Sequence, residues 1–307
     1  MYVINAEKLT KRYGEFTAVN GISFRVRKGE LIGFLGVNGA GKSTTINMLS
    51  TLLAPTEGGA EICGVKLGTA DSEIRRKIGI VYQQNCLDEI LTVKENLVSR
   101  GILHGATKQQ AKERLKELTK ILSLGDILGK RYSTLSGGQK RRCEIAAALM
   151  HTPEILFLDE PTTGLDPATR RDVWETIEEL RRNTGMTVFL TTHYMEEATG
   201  ADRIIIISKG SIIAEGTPFE LKEKFASDTV KLYCGKKEAE TVGRLLYEEG
   251  ITASEIPNGL KFSVKETIDA LPFINKVSGN INGFEVIQGN MDDVFLNAVG
   301  EDLVAEE

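Results

Sequence analysis

A chain of 307 residues with 41% apolar and 26% charged side chains can fill a large core and has room for about two domains, which excludes disorder on a large scale. Its 38 Lys and Arg against 43 Asp and Glu give a net charge of −5 and a pI near 5.5. A mildly acidic chain is poorly suited to coating a nucleic-acid backbone, so no nucleic-acid partner is expected. No run reaches the ~18–20 apolar residues that span a bilayer, and the opening Met1-Tyr2-Val3-Ile4-Asn5-Ala6-Glu7-Lys8 lacks the apolar stretch of a secretory signal. If the protein serves a membrane process, another chain must cross the membrane.

In chain order, residues 18–26 read as a strand and Lys28-Gly29-Glu30 as a turn. Leu31–Leu35 is an apolar run that fits a buried strand, and a glycine-rich loop follows it, then a helix over 44–53. Residues 78–82 form a further buried strand. From about 91 to 151 the pattern turns helical. Thr107 can cap a helix on which Ala111, Leu115, Leu118 and Leu122 share a face. Strand–helix alternation then resumes, with strands over 155–158 and 188–190, a helix over 168–182 and a hairpin of 204–207 with 211–214. Buried apolar strands separated by helices predict a parallel sheet of α/β type, interrupted by a helical insertion. From residue 221 the order becomes strand (229–233), helix (236–248), strands (252–256 and 260–264), helix (266–277) and strand (283–288), which is a ferredoxin-like βαββαβ order. A last helix over 291–299 can be capped by Asn290. The expected domains are residues 1–220 and 221–307. Cys63, Cys86, Cys143 and Cys234 form no C-x-x-C pair and no histidine completes a metal pattern, so they are expected as reduced thiols of a cytosolic protein.

Three motifs carry chemistry. Gly36-Val37-Asn38-Gly39-Ala40-Gly41-Lys42-Ser43 fits G-x-x-x-x-G-K-[ST], between an apolar strand and a helix. Glycines let backbone N–H groups turn inward around phosphate oxygens, and the helix N-terminus adds a favourable dipole. Lys42 can reach the β- and γ-phosphates of ATP and the Ser43 hydroxyl can ligate Mg2+. Thr44 is grouped with residues 36–43 as a nucleotide contact. Ile155-Leu156-Phe157-Leu158-Asp159-Glu160 is an apolar run ending in two acids at the sheet's carboxyl edge. Asp159 can hold Mg2+ and Glu160 can act as general base toward water. Leu135-Ser136-Gly137-Gly138-Gln139 opens a helix with small residues, which suits an anion and equally suits a plain Ser136 cap.

That pentapeptide, placed between the other two motifs, resembles the signature of the ABC ATPase family, and the resemblance covers about residues 1–220. It implies the P-loop NTPase fold with an inserted helical subdomain, and it implies further roles. Gln83 resembles the glutamine that contacts Mg2+ and the water and senses the membrane partner. Asp166, in Gly164-Leu165-Asp166-Pro167, resembles the dimer-contact loop. His193 resembles the switch histidine that holds the γ-phosphate, and Tyr13 the aromatic that stacks on adenine. His104 and His151 match nothing in the pattern and are expected to be structural or exposed. Val37 departs from a proline common in the family, at a variable position. Met291-Asp292-Asp293-Val294-Phe295-Leu296 is similar to a tail motif of daunorubicin-resistance-type exporter ATPases.

The resemblance implies that two subunits, a homodimer or a pair of ABC subunits, dock head to tail. ATP on Lys42 of one is then capped by Ser136, Gly137, Gly138 and Gln139 of the other, and closure is transmitted through the segment near Gln83 to an integral-membrane permease. The chain is thus expected as a cytoplasmic, membrane-peripheral ATPase of an exporter. The alternative is a soluble ABC ATPase acting on ribosomes or DNA. A single cassette, no long heptad run and the charge of −5 argue against it.

Overall fold

The structure is a computed structural model that describes residues 1–305, with side chains described through Gly300. It divides into two compact units, Met1–Glu215 and Gly216–Glu307.

The first unit opens with β1 (Tyr2–Tyr13) and β2 (Phe16–Arg27), an antiparallel hairpin, followed by β3 (Leu31–Leu35) and α1 (Lys42–Leu49). Next come β4 (Glu57–Ile62), β5 (Val65–Lys66), α2 (Asp71–Lys77) and β6 (Ile78–Val81). Three helices follow: α3 (Val93–Leu103), α4 (Lys108–Ile121) and α5 (Gly137–Leu149). The unit closes with β7 (Ile155–Asp159), α6 (Pro167–Thr184), β8 (Thr187–Thr192), β9 (Arg203–Ser208) and β10 (Ser211–Gly216). Two sheets result. One is six-stranded, ordered β10-β9-β3-β8-β7-β6 and parallel through its centre; the other is four-stranded and antiparallel, ordered β2-β1-β4-β5. Phe34, Phe157 and Phe189 of the first sheet are fully buried, and Phe24 of the second meets Phe34 and Phe189 at ring-centroid distances of 5.8 and 6.0 Å. This aromatic seam joins the two layers.

The parallel register matters most for function. Leu35 pairs with Thr192 and Asp159 with Thr191, while Val81 pairs with Leu158. The carboxyl ends of β3, β7, β8 and β6 therefore lie level, and the residues that follow each strand emerge at one sheet edge. In the helical insertion, Thr92 and Thr107 each cap their helix in a reciprocal capping box with Glu95 and Gln110, and Ala111, Leu115, Leu118 and Leu122 are all buried.

The antiparallel sheet is absent from the sequence expectation. Other differences are local. The predicted helix 44–53 stops at Leu49, because Thr51 takes a left-handed backbone (φ 67°) and the amides of Leu52 and Leu53 both turn back to Asn47 O. The helix expected from 168 starts at Pro167, whose fixed φ suits the first helical position.

The second unit contains α7 (Pro218–Phe225), β11 (Asp228–Tyr233), α8 (Lys236–Glu248), β12 (Ser254–Ile256), β13 (Gly259–Val264), α9 (Ala270–Val277), β14 (Gly283–Ile287) and α10 (Met291–Ala305). Its sheet is ordered β12-β13-β11-β14 with every pair antiparallel. Val230, Leu232, Leu260 and Phe262 meet Val242 and Leu246 of α8 and Ile274 and Val277 of α9 in a separate core. Residues 266–277, expected as one helix, split into a 3-10 turn, Thr267–Asp269, and α9. Asn290 caps α10: its Oδ1 accepts from Asp293 N and its own N–H donates to Asp293 Oδ2. Asn297 Nδ2 donates to Phe225 O at 2.6 Å, fastening α10 to α7. That packing places α7 with the tail, so the units divide before residue 216.

Candidate functional site

The loop between β3 and α1 is built by close approach. A Cβ on Gly41 (φ 109°) would lie 2.5 Å from Ala18 O, and one on Gly36 2.6 Å from Ile207 O. Only glycine permits that chain path. Gly41 caps α1 with no side-chain acceptor, so the helix presents its first N–H groups toward the loop. Lys42 is 4% exposed, and its Nζ donates to Gly36 O at 2.7 Å and Val37 O at 3.1 Å.

Four strand ends converge on one carboxylate. Glu160, directly after β7, takes a left-handed backbone (φ 47°), fixed by its N–H donating to Thr191 O at 3.0 Å. Its Oε1 lies 3.3 Å from Lys42 Nζ. Its Oε2 receives Gln83 Nε2 at 3.4 Å and the Thr163 hydroxyl at 3.1 Å, and lies 3.1 Å from His193 Nδ1. Lys42 and Glu160 are both buried, and a charged pair out of water is stable only with such additional hydrogen bonds. Beside it, Asp159 Oδ1 accepts from Ser43 Oγ at 3.2 Å and Thr191 Oγ1 at 2.6 Å. One carboxylate with the Ser43 hydroxyl beside it is a hard oxygen set that suits Mg2+, which usually takes only one or two protein carboxylates. Among the described residues no cluster of three or more His, Cys, Asp or Glu could hold a metal ion.

The structure thus brings together Lys42, Ser43, Gln83, Asp159, Glu160 and His193. Ser136, Gly137, Gly138 and Gln139 form the start of α5, where Ser136 caps the helix in a reciprocal box with Gln139. Gly138 packs against Thr169. Asp166 caps α6, where the Thr169 hydroxyl and N–H hold its carboxyl below the usual range. Tyr13 stands half exposed at the end of the β1–β2 hairpin with Lys11 over its ring.

Several working residues carry no motif. Arg141, 4% exposed on α5, donates to Tyr82 O at 2.6 Å, Gln83 O at 3.4 Å and Glu160 O at 3.5 Å; burial pushes its guanidinium below the usual range. Glu144, one turn on, accepts from the N–H groups of Cys86 and Leu87 and from the Tyr132 hydroxyl. Two charged side chains within a helix that ends in an apolar run are the only sequence signal of either role.

The family model described as ABC transporter matches residues 19–163. The chain is 40% identical to the daunorubicin/doxorubicin resistance ATP-binding protein DrrA of Streptomyces peucetius over 97% of this chain and 92% of that protein. It is 39% identical to the linearmycin resistance ATP-binding protein LnrL of Bacillus subtilis over 98% and 99% respectively. Among solved structures, an ATP-binding cassette captured as a dimer in a post-hydrolysis state with ADP and Pi matches with a TM-score of 0.64 and 31% identity, covering 70% of this chain and 98% of that one. Coverage of this extent, over the part of the chain that builds the Glu160 cluster, identifies the chain as a member of the ABC transporter ATP-binding family.

Proposed function

We propose that the chain binds MgATP at residues 36–44, hydrolyses it with Glu160 as base, and uses the cycle to drive an exporter through a separate integral-membrane subunit. The observation that carries this reading is the convergence of Lys42, Gln83 and His193 on the Glu160 carboxylate.

Lys42 is paired with Glu160 and two loop carbonyls. Lys42, placed at the loop, is the cation available to the phosphates of ATP, and charge-assisted hydrogen bonds to phosphate are strong. Ser43 and Asp159, with Gln83, would hold Mg2+, which would supply neutralisation of the phosphate charge. Glu160 then accepts a proton from water as the water oxygen bonds to the γ-phosphorus and the bond to the β–γ bridging oxygen breaks, which leaves ADP and phosphate. His193 steadies the γ-phosphate. Tyr13 takes the adenine ring. In a head-to-tail pair, Ser136, Gly137, Gly138 and Gln139 of one subunit close over ATP on the other, with Asp166 at the contact. The dimeric state of the solved cassette supports this arrangement.

The relatives named for drug resistance support export over action on ribosomes or DNA. No described helix is long and apolar enough to cross a membrane. By analogy with relatives named as ATP-binding proteins for drug resistance, the load is assigned to a membrane partner at the cytoplasmic face, reached through the segment after Gln83. The tail is read as a ferredoxin-like accessory domain; its β11-α8-β12-β13-α9-β14 order supports that. The test is Glu160→Gln. Turnover is expected to fall about 10²–10⁴-fold with ATP still bound, and a stable ATP-dependent dimer should appear in sedimentation. Turnover at the wild-type rate removes Glu160 from the role.

A further inference from the structure

Outside the motifs, the buried carboxylate of Glu197 stands out. It lies on a 3-10 turn, Met195–Gly200, and its side chain is 4% exposed. Its Oε1 accepts from the Thr162 hydroxyl, its Oε2 accepts from the Thr192 hydroxyl at 2.6 Å, and Arg170 Nε lies 3.5 Å from Oε1. Each partner sits on a different segment. Thr162 follows Glu160 in the turn after β7. Thr192 immediately precedes His193 at the end of β8. Arg170 stands on the first turns of α6, whose cap is Asp166. A carboxylate this deeply buried persists only with several partners, and here they tie together the three segments that bear the proposed base, the switch histidine and the subunit contact.

A second line of contacts runs parallel to the first. The Arg170 guanidinium lies 4.0 Å over the Tyr194 ring, and that ring is 4.1 Å from the His193 ring at 38°. His193 Nδ1 in turn lies 3.1 Å from Glu160 Oε2. Arg170 Nε makes no hydrogen bond, so the charge of Glu197 and the face of Tyr194 hold the guanidinium.

We propose that Arg170, Tyr194 and Glu197 are positioning residues that lock the Asp166 end of α6 to the His193–Glu160 pair, so that movement of the subunit contact moves the hydrolytic groups with it. This rests on the reading of Glu160 and His193 given above. None of the three touches the phosphate loop, so they govern the rate of turnover and leave nucleotide affinity alone.

The full chain has only three histidines, His104, His151 and His193. With 13C-labelled histidine they give three ring signals, assigned by single His→Gln changes. Arg170→Ala and Tyr194→Ala should each move the His193 signal and leave the other two in place. Turnover of MgATP should fall about 10–100-fold, with the dissociation constant for trinitrophenyl-ATP within about twofold. Tyr194→Phe, which keeps the ring, should restore both readings. If Arg170→Ala does not fold, Glu197→Gln, equal in shape but uncharged, should give the same pattern. Wild-type turnover with an unmoved His193 signal overturns the brace. So does movement of all three signals with weakened nucleotide binding, which marks general loosening. A wild-type protein that neither binds trinitrophenyl-ATP nor releases phosphate overturns the functional reading, while the histidine signals still decide the brace.

Discussion

A methyl group added at Gly138 would come within 2.3 Å of Thr169 Cγ2, and the Thr169 hydroxyl donates to Asp166 Oδ2 at 2.5 Å. The missing Cβ thus lets the signature helix and the Asp166 turn pack within one subunit. Gly138→Ala is expected to destabilise the protein by about 1–3 kcal/mol. Thr169→Ser, which removes the colliding methyl but keeps the hydroxyl, should recover most of that loss in urea unfolding; no recovery would show that the methyl is not the obstacle. Lys42 and Ser43 are legible in the sequence because glycine spacing and residue type carry the chemistry locally. Asp159 and Glu160 are legible because they end an apolar strand. Arg141 and Glu197 are not, since their partners lie on other segments: Arg141 reaches Tyr82, 59 positions away, and Glu197 reaches Thr162, 35 positions away. A buried charge declares itself only once the fold has buried it.

The capping box before α3 lies in the segment that follows Gln83. Thr92 Oγ1 accepts from Glu95 N at 3.2 Å, and Thr92 N donates to Glu95 Oε2 at 2.8 Å. Thr92→Ala removes the hydroxyl and should fray the first turn of α3, raising amide hydrogen exchange there about fivefold while α4 exchanges as before; an unchanged rate in α3 would show that the box is dispensable. Elements with a clear period are the ones the sequence reveals. The α4 face of Ala111, Leu115 and Leu118 keeps steps of three and four, and α8 runs over 236–248 as expected. β1 is obscured because four register shifts interrupt its pairing with β2, so inward and outward residues do not alternate evenly along it.

At the scale of the whole molecule, the first unit, Met1–Glu215, carries a histidine pair that favours neutrality. The rings of His104 and His151 stack at 4.0 Å and 6°. His151 Nε2 lies 2.8 Å from Ile78 O, while its buried Nδ1 has no partner. Burial, and then the neighbouring His104, push His151 down to about 4. Burial also lowers His104, with Arg100 adding to it. Between about pH 6.5 and 4 the unfolded chain takes up a proton that the folded ring refuses, so stability falls as pH falls through that window. From pH 7 to 5 the loss from this ring is about 1–2 kcal/mol after allowance for the solvent that still reaches it. Urea midpoints at the two pH values measure it, and His151→Gln should flatten the difference; an equal drop in that variant would place the effect elsewhere. At this scale the sequence reveals the strand–helix alternation and the change of character in the tail. The antiparallel sheet is hidden, because its pairing depends on strands such as β1 and β4, whose partners are separated by more than forty positions.

Glu160 holds a left-handed backbone that glycine would adopt freely, and for a residue with a Cβ such a conformation costs about 1–3 kcal/mol. The strain falls on the residue proposed to take the proton. Replacing that side chain with glycine would release the strain but leave Lys42 buried without its carboxylate, and would remove the proposed base. The strained backbone is therefore held by the same carboxylate contacts that the proposed chemistry uses, and a glycine there would forfeit both at once.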